Sequence, residues 1–155
     1  MPIVVRCIFA VVAGFLLLNG NAIAAESVQY KLDPVHTRVM FAIDHAGFSK
    51  AIGTISGSTG SLSFDPERWH EARLQATVPL VRIELGDSRW NKAVMAEGLL
   101  DVDRYPMAEF VTTKVEPVAP DRALIHGRLA LHGVTRDIVL DVKLNAVKRH
   151  PLPPF

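Results

Sequence analysis

The alternation of apolar and polar residues limits what this chain can fold into more than any other feature. From Val35 to Asp44 the sequence reads V-H-T-R-V-M-F-A-I-D, with His45 next. Val39, Phe41 and Ile43 fall on one side, with His45 in line, and His36, Arg38 and Asp44 on the other. Successive side chains of a strand point to opposite faces, so a period of two predicts a strand with one buried face. The pattern returns over Ala72–Ile83, where Ala72, Leu74, Ala76, Val78 and Leu80 oppose Arg73, Gln75 and Thr77. Over Ala123–His132, Ile125, Gly127, Leu129 and Leu131 oppose His126, Arg128 and His132. Over Arg136–Val147, Ile138, Leu140, Val142, Leu144 and Ala146 oppose Asp137, Asp141, Lys143 and Asn145. Val28–Asp33, Lys50–Gly57 and Leu62–Phe64 read as shorter strands, and Glu109–Val115 as one of weaker pattern.

The connections are short. Ala46–Ser49, a hairpin turn at Ser58–Gly60, and Gly133-Val134 punctuate the strands, and Pro34 closes the first one because it cannot donate to a ladder. Pro79 favours an edge or a bulge. One helix is expected, Gly86–Glu97, capped by Asp87 or Ser88 and stopped by Gly98, with Trp90, Ala93, Val94 and Glu97 on one side. Leu99–Asp103 reads as one further turn. Seven or eight strands and a helix in one domain describe an antiparallel up-and-down barrel or a sandwich. A barrel of about eight strands can enclose one small or elongated ligand. The small inward residues of Ala72–Ile83 leave room for a cavity, or for large partners opposite.

The first 25 residues form a separate unit. A short basic start is followed by an apolar run, Cys7–Leu18, of 12 residues, and by Ala22-Ile23-Ala24. A membrane span needs about 20 apolar residues. The run is instead expected to be the core of a secretory leader, cut before Ala25 or Glu26. Cys7, the only cysteine, would leave with it, so the mature chain would hold no disulfide. The 17 Lys and Arg against 16 Asp and Glu would become 16 against 16 without Arg6, which gives no electrostatic footprint for nucleic acid. Residues 26–147 form the domain, and 148–155 a proline-rich tail.

Catalytic chemistry is sparse. Gly86-Asp87-Ser88 resembles the box that carries a nucleophilic serine in some esterases, with Asp33-Pro34-Val35-His36 as a possible source of base. That D-x-x-H precedes the serine and lies in an all-β pattern, and helix capping accounts for Asp87 and Ser88 equally. None of the six histidines forms an H-x-x-x-H pair, and His126 and His132 lie about 20 Å apart at ~3.3 Å per strand residue, too far to share an ion alone. No metal site and no cofactor are expected. His45, on the apolar side, is either a polar tip at a cavity mouth that meets a ligand head group or a structural histidine bonded to a backbone carbonyl.

Four pieces in order, Leu32–His45 (L-D-P-V-H-T-R-V-M-F-A-I-D-H), Gly60–Pro66 (G-S-L-S-F-D-P), Leu100–Phe110 (L-D-V-D-R-Y-P-M-A-E-F) and Gly127–Val142 (G-R-L-A-L-H-G-V-T-R-D-I-V-L-D-V), resemble the YceI-like family of periplasmic lipid-binding proteins. The resemblance implies a lipocalin-like antiparallel barrel whose lumen holds a polyisoprenoid or similar long amphiphile, often as a homodimer, without catalysis. Family members usually continue past Leu144 with further strands, so it also implies a seam left open at the C-terminal end, as in a truncated member. The lumen candidates are Val39, Phe41, Ile43 and His45 from the first long strand and Leu74, Ala76, Val78 and Leu80 from the second. Ile125, Leu129, Leu131, Ile138, Leu140 and Val142 come from the last two, and Trp90 is placed to close one end. A serine esterase using Ser88, or a remnant that no longer binds, are the alternatives.

Overall fold

The computed structural model describes residues 27–149. The leader expected over residues 1–25 and the last six residues of the proline-rich tail lie outside them. Nine strands and one helix are present: β1 (Val28–Lys31), β2 (Val39–His45), β3 (Ser49–Ile55), β4 (Thr59–Phe64), β5 (Arg73–Pro79), β6 (Ile83–Glu84), α1 (Ser88–Met95), β7 (Met107–Ala119), β8 (Arg122–Leu131) and β9 (Val134–Lys143). All ladders are antiparallel. Six strands form one sheet in the order β1-β4-β5-β7-β8-β9, and three form another in the order β2-β3-β6.

Four connections cross between the sheets: three are direct ribbons, β1 into β2, β3 into β4 and β5 into β6, and the fourth runs from β6 to β7 through α1. This corrects the hairpin expected at Ser58–Gly60, because β3 and β4 do not pair. The corner is built by Gly57, whose φ of 78° suits a residue without Cβ, and by two bonds. The Gly57 N–H donates to the Pro34 carbonyl at 3.1 Å, and the Leu32 N–H to that of Gly60 at 3.0 Å. The expected single strand over Ala72–Ile83 is likewise cut, by a 3-10 turn at Leu80–Arg82 that carries the chain round the corner. The stretch before β2 is a turn rather than strand, because the Asp33 side chain accepts from the N–H groups of Val35 at 2.8 Å and His36 at 3.3 Å.

The helix is shorter than expected. Asp87 is its cap, accepting from the N–H groups of Arg89 at 2.8 Å and Trp90 at 3.3 Å. It ends at Met95, where Ala96 is extended, two residues before Gly98. In the β8–β9 turn His132 (φ 51°) and Gly133 (φ 71°) take the left-handed conformations that a two-residue hairpin demands. His132 therefore leaves the strand face assigned to it and packs edge-on against Tyr105, with ring centroids 5.0 Å apart.

The buried residues form two clusters. One gathers Ile55, Leu80, Ile83, Val94, Val102 and Ala108 beneath the small sheet and α1. The other gathers Phe64, Ala72, Phe110, Val115, Ala123 and Ile125 on the large sheet. Leu129 packs against both. Ala72 is covered by large neighbours rather than facing a void. The all-β, lipocalin-like antiparallel architecture is as expected. The sheets do not close: among the described residues no ladder joins β9 to β1 or β2.

Candidate functional site: an apolar trough

The inner face of the two sheets is continuous and apolar. Val39, Phe41 and Ile43 of β2 and Leu74, Ala76 and Val78 of β5 are half-buried, packed against one cluster or the other. So are Leu129 and Leu131 of β8 and Ile138, Leu140 and Val142 of β9. These residues line an apolar trough, and β2 and β9 are each an edge strand of their own sheet. Two of the expected lumen residues are sealed into the packing instead: Leu80 is 2% exposed, in the 3-10 turn, and Ile125 is 8% exposed. His45 and Trp90 are exposed, with ring centroids 5.4 Å apart at the end of β2 that leads into the β2–β3 turn.

The expected lumen set leaves out several inner residues. Tyr30, Leu62 and Leu144 are half-buried on the second cluster, and their signal was present as the continuation of the strands that carry them. Strand β7 contributes Ala108, Phe110 and Thr112, then Val115. A bulge between Thr112 and Lys114 moves the inward positions from even to odd numbers, which is why this strand has the weakest period. Thr112 fills the irregularity: its hydroxyl accepts from the Leu74 N–H at 3.0 Å and donates to the Leu74 carbonyl at 3.1 Å.

Two glycines shape the trough. A methyl group at Gly53 would overlap the ring of Phe41 across the ladder, and one at Gly127 would overlap the ring of Phe110. Each aromatic ring lies flat along the sheet because a glycine makes room for it.

The trough buries no charged side chain, and Arg136, opposite Leu129 in the β8–β9 ladder, is exposed at its margin. Among the described residues the buried polar side chains are Ser58, at the corner, and Thr112. Carboxylates held below their ordinary range all sit elsewhere. Asp33 is lowered first by the hydrogen bond from His36, whose Nδ1 lies 2.7 Å away. Asp65 is lowered first by the Glu67 N–H, Glu84 by the Gly86 N–H, Asp87 by the Arg89 side chain and Glu116 by Lys114. Ser88 opens α1 and is exposed, and capping by Asp87 accounts for the Gly-Asp-Ser sequence. Among the described residues no three His, Cys, Asp or Glu gather as a metal site would require. The trough can therefore take a long apolar chain, gaining about 0.8 kcal/mol per CH₂ removed from water.

A YceI-like domain model matches residues 30–151. A UPF0312 protein of Pseudomonas savastanoi is 32% identical over 136 residues, covering 88% of this chain and 70% of that one. The YceI protein of Salmonella arizonae is 31% identical over 134 residues, 85% of this chain and 68% of its own. Among solved structures, the Campylobacter jejuni YceI protein superposes with a TM-score of 0.62 at 26% identity, covering 79% of this chain and 71% of that one. BcnA of Burkholderia cenocepacia shares the fold, with a TM-score of 0.66 at 21% identity and coverage of 72% and 70%. The four sequence pieces, the antiparallel fold and these matches agree, and the chain belongs to the YceI-like domain family.

Proposed function

We propose that this protein is a non-catalytic binder of a long-chain, isoprenoid-like amphiphile, exported to the periplasm by its N-terminal leader. The observation that carries this reading is the apolar trough, whose walls on β2 and β9 are only half-buried while no charged side chain is buried beneath them. A soluble protein does not leave such a surface bare without a use for it. A polyisoprenoid fits because it is long, apolar and needs few polar contacts along its length. The leader supplies the address, since lipid intermediates of this kind are drawn from membranes that face the periplasm.

The test is native mass spectrometry of protein recovered from a bacterial periplasm, followed by organic extraction. The expected result is a chain beginning at Ala25 or Glu26, with a bound mass that passes into the organic phase and is built of isoprene units. Val39→Asp and Leu129→Asp place a carboxylate in the trough and are expected to abolish the bound mass. Folded variants that retain it would refute the assignment of the trough.

A further inference from the structure

Among the described residues, the three most exposed large apolar side chains belong to one hairpin. Phe48 is 91% exposed, Met40 76% and Ile52 68%. The β2–β3 ladder pairs Ala42 with Ile52 and Met40 with Thr54, so Met40, Ala42 and Ile52 adjoin on the outer face. The next rung, Asp44 and Lys50, neutralises itself through an ion pair of 3.1 Å. Beyond it the turn, with Ala46 at φ 53° and Gly47 at φ 77°, holds Phe48 at the tip. The opposite face carries Val39, Phe41 and Ile43 toward the trough. Antiparallel sheets usually keep one face wet, and this hairpin is apolar on both.

The size and shape of the outer patch decide what covers it. Three side chains and an alanine expose on the order of 500 Å², within the range of a functional surface patch but short of the ~800 Å² that each partner buries in a stable protein interface. A phenylalanine at the tip of a turn projects beyond the sheet, which suits penetration into a soft phase better than docking on a flat one. Trp90, 41% exposed and 5.4 Å from His45, sits at the same end. Its ring, apolar with one N–H, is the type that settles at a membrane–water interface.

We propose that the β2–β3 hairpin is a membrane-contacting element, with Phe48 entering the boundary between headgroups and acyl chains while Met40 and Ile52 lie against it. This goes beyond the lipid-binding reading, and its test needs no isoprenoid. The probe is vesicles of phosphatidylethanolamine and phosphatidylglycerol, and the protein is the exported chain beginning at Ala25 or Glu26, which lacks Cys7, with an environment-sensitive fluorophore on Phe48→Cys. Its emission is expected to shift to the blue when vesicles are added. A Met40→Ser/Phe48→Ser/Ile52→Ser variant is expected to partition roughly tenfold less or weaker still. These positions are exposed, so near-unchanged circular dichroism should accompany the loss. An unshifted label, or equal partitioning by the folded triple variant, overturns the proposal. So does a blue shift that follows protein concentration without vesicles, which would assign the patch to a second copy. Vesicle binding without isoprenoid uptake would uphold the hairpin and refute the carrier.

Discussion

Strands β7 and β8 and strands β2 and β9 obey one alternation and reach different depths. On β7 and over the first half of β8 the inward residues are sealed, with Ala123 0% exposed, Val115 4% and Phe110 7%, while Leu129 and Leu131 farther along β8 are half-buried. On β2 the inward Val39, Phe41 and Ile43, and on β9 Ile138, Leu140 and Val142, remain half-buried. β7 and β8 are paired on both sides and β2 and β9 on one, but pairing alone does not set the depth, since β5, also paired on both sides, keeps Leu74, Ala76 and Val78 half-buried. A period of two tells which way a side chain points, while its depth depends on strands contributed from elsewhere in the chain. In this molecule the shallow inner residues are the ones available to a ligand, and the deep ones hold the sheet.

The two glycine–phenylalanine contacts offer the sharpest way to break that comparison, one at the centre and one at the margin. Phe110→Ala should have the largest effect, a loss of about 3–5 kcal/mol in urea unfolding, as for other buried phenylalanines. Gly127→Ala, which forces the same ring aside from the other strand, should cost about 1–3 kcal/mol. Phe41→Ala, at the margin, should cost roughly 1–2 kcal/mol, since only part of its surface is withdrawn from water. It should also weaken retention of extracted lipid, which Gly127→Ala should spare at temperatures where that variant is folded. Equal stability losses at Phe110 and Phe41 would show that the trough is packed as tightly at its edge as at its centre.

The smallest expected effect lies outside both regions. Asp87 is held below its ordinary value of 3.8, first by the Arg89 side chain and then by the N–H groups of Arg89 and Trp90. A carboxylate depressed in the folded state stabilises it above its unfolded value, and that contribution fades as pH falls through the folded value. Thermal stability should therefore decline in acid below the ordinary carboxylate range. Asp87→Asn still caps α1 and should make that decline shallower. An unchanged acid limb in the variant would mean that the cap is not a source of the pH dependence.

The inward faces of β2, β5, β8 and β9 were legible in the sequence because they depend only on local alternation. The architecture was legible in kind, and the open seam beyond β9 was expected from the family resemblance. The crossings between sheets were hidden, since whether Thr59 follows a hairpin or a corner is decided by its partners, Thr77 on β5 and, through Gly60, Leu32. The bulge in β7 was hidden for the same reason: Thr112 replaces a backbone partner of Leu74, 38 residues away. His132 was read as a strand residue because a left-handed conformation is uncommon outside glycine, and the Tyr105 ring that packs against it comes from a distant loop. Of the trough, the sequence showed which residues face inward; that Leu80 and Ile125 are sealed followed only from the packing of α1 and β7.

The corner has a kinetic consequence. Because three ribbons each supply a segment to both sheets, neither sheet is an independent unit that could open while the other stays folded. The ladders β1–β4 and β2–β3 are stretches of one pair of chains interrupted at Gly57. Amide hydrogens on β3 and β4 should therefore exchange through one shared opening, with similar free energies and similar denaturant dependence. Strand β9, joined by a two-residue turn and paired only with β8, is topologically free to fray by itself. Exchange rates would then divide the molecule not by sheet but by ribbon, with the corner as the point where cooperativity is enforced.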